Sequence, residues 1–506
     1  MTAIPFSLGL ITLAAAVLLR ALPRVVWPRY QGTDAYYHHA YVRLIRETGH
    51  RLPRQNPRIV GPGVHAYPAL FHWVLSYLPP NTLRWVDRFG GLVGDLVVGG
   101  ALSAFLFAYG AVGPGTAFAA AALYMVLPGL ILPHIGPRAF TLTPRVWGQA
   151  LFALAVVSWM IADAQPAMWI VSILPLALML LTSKFAVQNL IFVAPFVALL
   201  LGRYEPLAAS VAAAVLALLL FRGMFVRQLV GQIGHLTWYV RHNLGMVAHR
   251  NNWQALREGV RTANLRRLAI ETLWHNPILS GLIRHFPLMI ALVLAWRSGL
   301  GARENVALAL TLAALVPWII TAFGRARVLG ESERYLEFAA PAAWVLLWTL
   351  HPSAIVLGVI AVAALLGYAA TLMFVARTQG TLGAVDEADI AQILAGETDA
   401  VLLCLHDPES YYFLATTDVR LMKYNGDLTA FGAPGRFVAQ FFWRYPYVDP
   451  GRLHDLIQEG GVTLVLENRR ARARFIELAG RDYDLAGLSD MHRNNSYVLY
   501  RVGSAA

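Results

Sequence analysis

Residues 33–79 read TDAYYHHAYVRLIRETGHRLPRQNPRIVGPGVHAYPALFHWVLSYLP. Thr33 and Asp34 suit the start of a helix, because their short side chains accept bonds from its free N–H groups. Tyr36, Tyr37, His39, Ala40, Arg43 and Leu44 then distribute over its faces. On one reading Asp34 is only that cap. Its neighbours point to chemistry: Tyr37, His38 and His39 follow within about one turn, then Arg43, Arg46, Arg51, Arg54 and Arg58. A carboxylate beside hydroxyls and imidazoles suits general-base work or a divalent metal, Mg or Mn, held at Asp34. The arginines suit an anion. The aromatic end, YPALFHWVLSYLP, suits a helix lying in the headgroup layer of a membrane.

The stretch just upstream explains why a membrane is expected. Residues 4–22 are apolar for about a full bilayer span and read as a first transmembrane helix, not as a removed signal. The chain has 506 residues, 57% hydrophobic and 14% charged, with a mean hydropathy of +0.53. A soluble globule of that length needs more surface charge. The single cysteine, Cys404, excludes an intrachain disulfide, and no Cys/His spacing resembles a zinc site. The 41 Lys and Arg against 29 Asp and Glu leave +12. In so apolar a chain that excess points to phosphate-bearing membrane lipid and not to nucleic acid, or it serves only to orient the protein in the bilayer.

Apolar runs near 4–22, 90–110, 113–133, 146–162, 166–182, 185–202, 205–221, 279–296, 304–323, 336–350 and 353–376 predict about eleven spans. Three connections are long: 23–89, 222–278 and 324–335. The segment 222–278, rich in Arg, His and Trp, reads as interfacial helices. After Ala376 the texture changes to Gly380, Gly383, Asp386, Glu387 and Asp389, and a soluble domain is expected over 379–506, following a transmembrane domain over 1–378. In it AVLLCL (400–405), VTLVLE (462–467) and SYVLYRV (496–502) read as strands, and 452–460 and 469–480 as amphipathic helices. The fold class expected is mainly α: a polytopic transmembrane helical bundle with a small C-terminal α/β soluble domain.

The setting TDAYYHH, followed by the YPAL turn at 67–70, resembles the GT-C superfamily of membrane glycosyltransferases, which includes the oligosaccharyltransferase catalytic subunit and the dolichyl-phosphate-mannose transferases. The plan of a long first external loop, many spans and an external C-terminal α/β domain is similar too. The resemblance implies an inverting glycosyltransferase of the cell envelope, with its N-terminus cytoplasmic and its C-terminal domain outside the plasma membrane. It would transfer a sugar from a polyprenyl-phosphate donor to an acceptor on the outer face. Relatives that use a metal often carry a second acidic motif, and PHIGPRAFTLTPRVWG (133–148) has no acid. No WWDYG-like motif follows, so asparagine-linked protein glycosylation is not supported.

Further candidate residues are Arg138 and Arg145 in PRAFTLTPR and Lys184 in LLTSKFAVQ, read as phosphate binders or as snorkelling interfacial cations. In GRARVLGESERYLEFAAP (324–341), Arg325, Arg327, Arg334 and Tyr335 resemble the Arg-Tyr pair that many GT-C enzymes place near the lipid-linked donor. Glu331 or Glu333 there could supply a second acid; the plainer reading is a solvated charged loop. Asp34 and His38 are the acid–base candidates beside them, and Tyr37 a binding residue. Asp95, in GGLVGDLVVGG, is ionisable at membrane depth. A lipid or polysaccharide transporter and an inactive scaffold are the alternatives. The absence of an internal repeat favours the enzyme.

Overall fold

The computed structural model describes residues 4–27, 33–60, 65–110, 112–131, 142–238, 253–323, 326, 329, 332–378, 385–397, 399–423 and 441–503. In chain order the first helices are α1 (Phe6–Val26), α2 (Thr33–Glu47), α3 (Leu70–Ser76), α4 (Pro80–Tyr109), α5 (Pro114–Met125), α6 (Pro128–Ile131), α7 (Pro144–Ile161), α8 (Ala167–Thr182), α9 (Lys184–Leu201), α10 (Glu205–Leu220) and α11 (Arg222–Trp238). Then come α12 (Trp253–Arg261), α13 (Leu265–Ile270), α14 (Pro277–Arg284), α15 (Phe286–Trp296), α16 (Ala302–Thr321), α17 (Glu333–Thr349) and α18 (Ala354–Thr378). The C-terminal region adds α19 (Val385–Leu394), α20 (Pro408–Thr416), α21 (Leu453–Gly460) and α22 (Arg469–Ala479).

The chain divides into two compact units. The first takes residues 1–28, 80–225 and 247–377, and is the helical bundle. Among the described residues six helices are long and apolar enough to cross a membrane: α1, α4, α7, α9, α16 and the Ala354–Met373 part of α18. The bent pair α14 and α15, kinked by 73°, makes a seventh if it is one span. The expected eleven is therefore too high by this measure. The run 113–133 breaks at Val126 and Leu127 ahead of Pro128, where the missing N–H and the ring stop a continuing helix. The 16-residue α8 and α10 are shorter than the length criterion. They reach only about 24 Å at 1.5 Å per residue. The 17-residue α17 opens on Glu333 and Arg334 instead of on apolar residues.

The bundle's packing answers the question of Asp95. Its carboxylate, 0% exposed, bonds the Arg20 guanidinium of α1. An ion pair of two desolvated partners is the arrangement a charge at membrane depth needs. Helices α1 and α5 also approach closely: a Cβ at Gly9 would stand 2.2 Å from the Gly115 carbonyl oxygen. Trp344 Nε1 of α17 donates to the Ala120 carbonyl of α5 at 3.0 Å.

The second unit joins residues 29–79 and 226–246 to 378–506. Where the sequence suggests a self-contained domain from 379, the first loop is part of the same body, and the reason is a shared sheet. Six strands run in the order β1 (Ile59–Val60), β3 (Arg420–Met422), β2 (Val401–Cys404), β6 (Leu464–Asn468), β8 (Tyr497–Val502) and β7 (Leu488–Arg493). The first four are parallel, with Ile59 opposite Leu421 and Leu402 opposite Leu464. Strands β8 and β7 are antiparallel additions. A separate two-stranded pair is formed by β4 (Phe442–Arg444) and β5 (Tyr447–Val448). Successive residues of β2 feed opposite faces: Val401 and Leu403 enter one core, Leu402 and Cys404 the other. Ala40 of α2 belongs to the second core.

Arginines expected to suit an anion instead fasten this unit. Arg43 bonds Glu47 at 2.9 Å, the Thr417 carbonyl at 2.8 Å and the Asp418 carboxylate. Arg58 reaches the Thr417 carbonyl at 3.1 Å and Asp418 at 3.2 Å. Arg46 bonds the Ser76 carbonyl at the end of α3 at 2.8 Å.

The Arg20–Asp95 pair predicts a non-additive result. Truncating either partner breaks a buried ion pair and should cost about 3–5 kcal/mol, whereas Arg20→Met with Asp95→Leu should recover most of it. Melting temperatures of the three variants in detergent micelles check this; a double variant as unstable as the sum of the singles would contradict it.

Candidate functional site

In the bundle unit three helix starts lie side by side. Thr143 caps α7, its Oγ1 accepting from Arg145 N at 3.3 Å. Ser183 precedes α9, whose first residue is Lys184. Gly148 allows these two starts to meet, since a Cβ there would stand 2.7 Å from Ser183 Cβ. The start of α17 closes the group. Tyr335 packs its ring 5.1 Å from Phe185, and the Arg334 guanidinium lies 5.5 Å from the same ring. Gln149 Nε2 donates to the Glu337 carbonyl at 2.5 Å, tying α7 to α17. The Glu337 carboxylate is 3.8 Å from Arg145 Nε.

The electrostatic consequence follows from the backbone. Each helix start carries roughly half a positive charge from N–H groups that have no intrahelical acceptor. Arg145, Lys184 and Arg334 add full charges within the first two residues of their helices. A cation at a helix start is unfavourable by about 0.3–1 kcal/mol, so three of them together form an electropositive setting matched to an anion.

Glu333 faces a different group. Buried with Arg284 and Ser280, it accepts from Arg284 Nη1 at 3.0 Å and from the Ser280 hydroxyl. Arg284 ends α14 at the 73° bend into α15, so the pair sits at the break in that helix pair. A small pocket beside the bend is lined by Leu127, Leu130, Arg284, His285 and Trp344.

In the second unit α2 carries the acid–base candidates. Asp34 lies in the first turn of α2, and its side chain is outside the described residues. One turn on, His38 is buried, and its Nδ1 lies 2.9 Å from His72 Nε2 of α3. His72 Nδ1 is 3.2 Å from the Pro68 carbonyl. Tyr37 is buried against Tyr67 and Tyr411, with ring centroids at 5.2 and 5.6 Å. Tyr41 lies over His65 at 3.8 Å and His72 at 4.6 Å. Burial pushes the His72 imidazole down to about 3, with nearby His65 adding to the effect. Burial, and then the Arg227 charge, push His65 down to about 3 as well. Both rings are neutral at physiological pH.

The structure thus brings Arg145, Lys184, Arg334 and Tyr335 together, and places Tyr37 and His38 in one aromatic and imidazole cluster. Arg138, Arg325, Arg327 and Glu331 lie outside the described residues. Sequence reading missed Gln149, Glu337 and His72. The polar Gln149 and Glu337 within apolar helices were the available signal for two of them. Among the described residues no three His, Cys, Asp or Glu side chains come together as a metal group.

No family model matches the chain, and no curated protein matches it. Its fold is similar to that of solved oligosaccharyltransferase AglB and ArnT structures. Oligosaccharyltransferase AglB from Archaeoglobus fulgidus, solved with an inhibitory peptide and a dolichol-phosphate, is 13% identical with a TM-score of 0.57, over 94% of this chain and 71% of that one. The oligosaccharyltransferase of the same organism solved with Zn and sulfate gives 15% identity and a TM-score of 0.57, over 97% and 73%. ArnT from Cupriavidus metallidurans bound to undecaprenyl phosphate is 12% identical with a TM-score of 0.55, over 98% of each chain.

The buried imidazoles set an acid limit on the second unit. An unfolded histidine takes up its proton near pH 6.5, whereas His65 and His72 stay neutral until about 3 in the folded state. Their folded pKa is the lower one, so stability is full above about pH 6.5 and is lost as the pH falls. The loss is at most about 1.4 kcal/mol per pH unit per ring. His65→Phe should shrink the drop in melting temperature between pH 7 and 5. An unchanged drop in that variant would contradict the assignment.

Proposed function

We propose that this protein is a glycosyltransferase that moves a sugar from a polyprenyl-phosphate carrier to an acceptor hydroxyl. The observation that carries the reading is the meeting of three cation-bearing helix starts, at Arg145, Lys184 and Arg334, inside a bundle of the GT-C fold. A phosphate ester on a lipid chain suits both features: the charges take the headgroup and an apolar bundle takes the chain. Arg138, Arg325 and Arg327 are proposed as further phosphate contacts; Tyr335, whose hydroxyl donates to the Leu329 carbonyl at 2.8 Å, is proposed to hold the start of α17 beside the headgroup. Fold neighbours solved with dolichol-phosphate and undecaprenyl phosphate support the same class of carrier.

The chemistry is an inverting displacement. The acceptor oxygen bonds to the anomeric carbon as the bond from that carbon to the phosphate oxygen breaks. Asp34 deprotonates the acceptor hydroxyl or orients it, with His38 the second acid–base candidate on α2, and the polyprenyl phosphate leaves as an anion with the bonding pair. Tyr37 lines the acceptor side of α2. The buried pair of Glu333 with Arg284 fits a role in holding the broken helix, and Glu331 is the acid proposed in that segment. A Mg or Mn ion would be built on Asp34. The described donors do not assemble a metal site, so no step is derived through one.

The protein is integral to the membrane. Because the first loop and the C-terminal region share one sheet, we place both on the same side of the bilayer, outside the cell membrane, with the N-terminus in the cytoplasm.

Release of free polyprenyl phosphate from a polyprenyl-phosphate sugar, with membrane lipid extract as acceptor, tests the reading. Asp34→Asn keeps the capping geometry, since Asn is itself a good cap, and removes the charge. Release should fall by about a hundredfold or more with the melting temperature unchanged. Full activity in that variant would leave Asp34 a cap and nothing else.

A further inference from the structure

The hydrogen bonds around α3 fix protons that heavy-atom positions alone do not show. The Pro68 carbonyl only accepts, so His72 Nδ1, 3.2 Å away, carries the proton of its ring. A neutral ring has one N–H, which leaves His72 Nε2 as an acceptor. The contact of 2.9 Å from that atom to His38 Nδ1 then requires the proton to be on His38. Neutral His38 is therefore the Nδ1–H tautomer, with its lone pair on Nε2. The ring of His72 is 0% exposed and lies among Tyr41, Tyr67 and His65, an apolar and aromatic setting that holds it neutral.

We propose that His72 is a positioning residue: through the chain Pro68 carbonyl, His72, His38, it holds His38 in the tautomer whose Nε2 accepts a proton. This rests on the reading of α2 as the acid–base helix. Position 34 is one turn before position 38, and residues four apart share a helix face. With Asp34 orienting the acceptor hydroxyl, that hydroxyl's proton passes to His38 Nε2 as its oxygen bonds the sugar, giving an imidazolium whose Nδ1–H still donates to His72. The positive charge is shed when that proton leaves to water after the phosphate has departed. The same logic in other enzymes, where a hydrogen bond to one ring nitrogen sets the role of the other, carries large rate effects.

The test uses the full-length protein in lipid with nitrogen-15-labelled histidine, His38→Gln identifying the His38 signals. In the wild type His38 should carry its proton on Nδ1. His72→Phe removes the acceptor and should mix the tautomers and lower kcat for polyprenyl phosphate release by at least about tenfold with KM for the donor unchanged. His72→Gln keeps an acceptor oxygen and should restore most of both. A wild-type His38 protonated on Nε2, or equal losses in Phe and Gln variants, would overturn the proposal even if His72→Phe does not fold. The expected tautomer shift with kcat untouched would uphold the hydrogen-bond chain and overturn the role of His38 in transfer.

Discussion

The start of an α-helix leaves backbone N–H groups without intrahelical acceptors, and in a bundle with little water those groups have few places to turn. Helices α7, α9 and α17 place three such starts around Phe185. Helices α7 and α9 add a cation instead of the acid that a helix start prefers, and α17 adds Arg334 beside a Glu333 that is already paired with Arg284. An arrangement so poor for stability alone makes sense as one completed by an anion. Gly148 is the residue that permits it, because a larger residue would hold the α7 and α9 starts apart.

The second unit solves a different problem. A long first loop would be expensive to order by itself, and here it is tied to the C-terminal sheet. Strand β1 adds to the sheet edge through β3, and Arg43 and Arg58 bond the carbonyl of Thr417. The Asp418 partner of Arg43 is exposed, so their ion pair adds little and the carbonyl bonds add more. What the fastening secures is the orientation of α2, with its His38 and Tyr37 packed against α3 and α20 residues.

Much of this was legible in the sequence. The membrane character, the first span, the strands at 400–405, 462–467 and 496–502, and the helix from Thr33 all read directly from apolar runs and a capping pair. The resemblance in TDAYYHH pointed to the fold that the solved structures share. Apolar runs and continuous helices part company at Pro128, whereas the run 279–296 coincides with the bent pair α14 and α15, a candidate span if the two are taken together. The strand β1, which ties the first loop to the C-terminal sheet, escaped sequence reading because it is only two residues long, too short for any periodicity. The loop arginines read as a phosphate site because sequence shows their charge and not the carbonyls they meet. His72 went unassigned because its meaning comes from a contact across a 34-residue separation.

On the reading proposed above, the three cation-bearing helix starts bind a phosphate on a lipid carrier. The most direct measurement is a binding titration of undecaprenyl phosphate to the protein in nanodiscs, for the wild type and for Arg145→Gln, Lys184→Gln, Arg334→Gln combined. Saturable binding of one molecule by the wild type, weakened about a hundredfold or more in the triple variant, is the result expected. Equal binding by the two proteins, or none by a folded wild type, would contradict it.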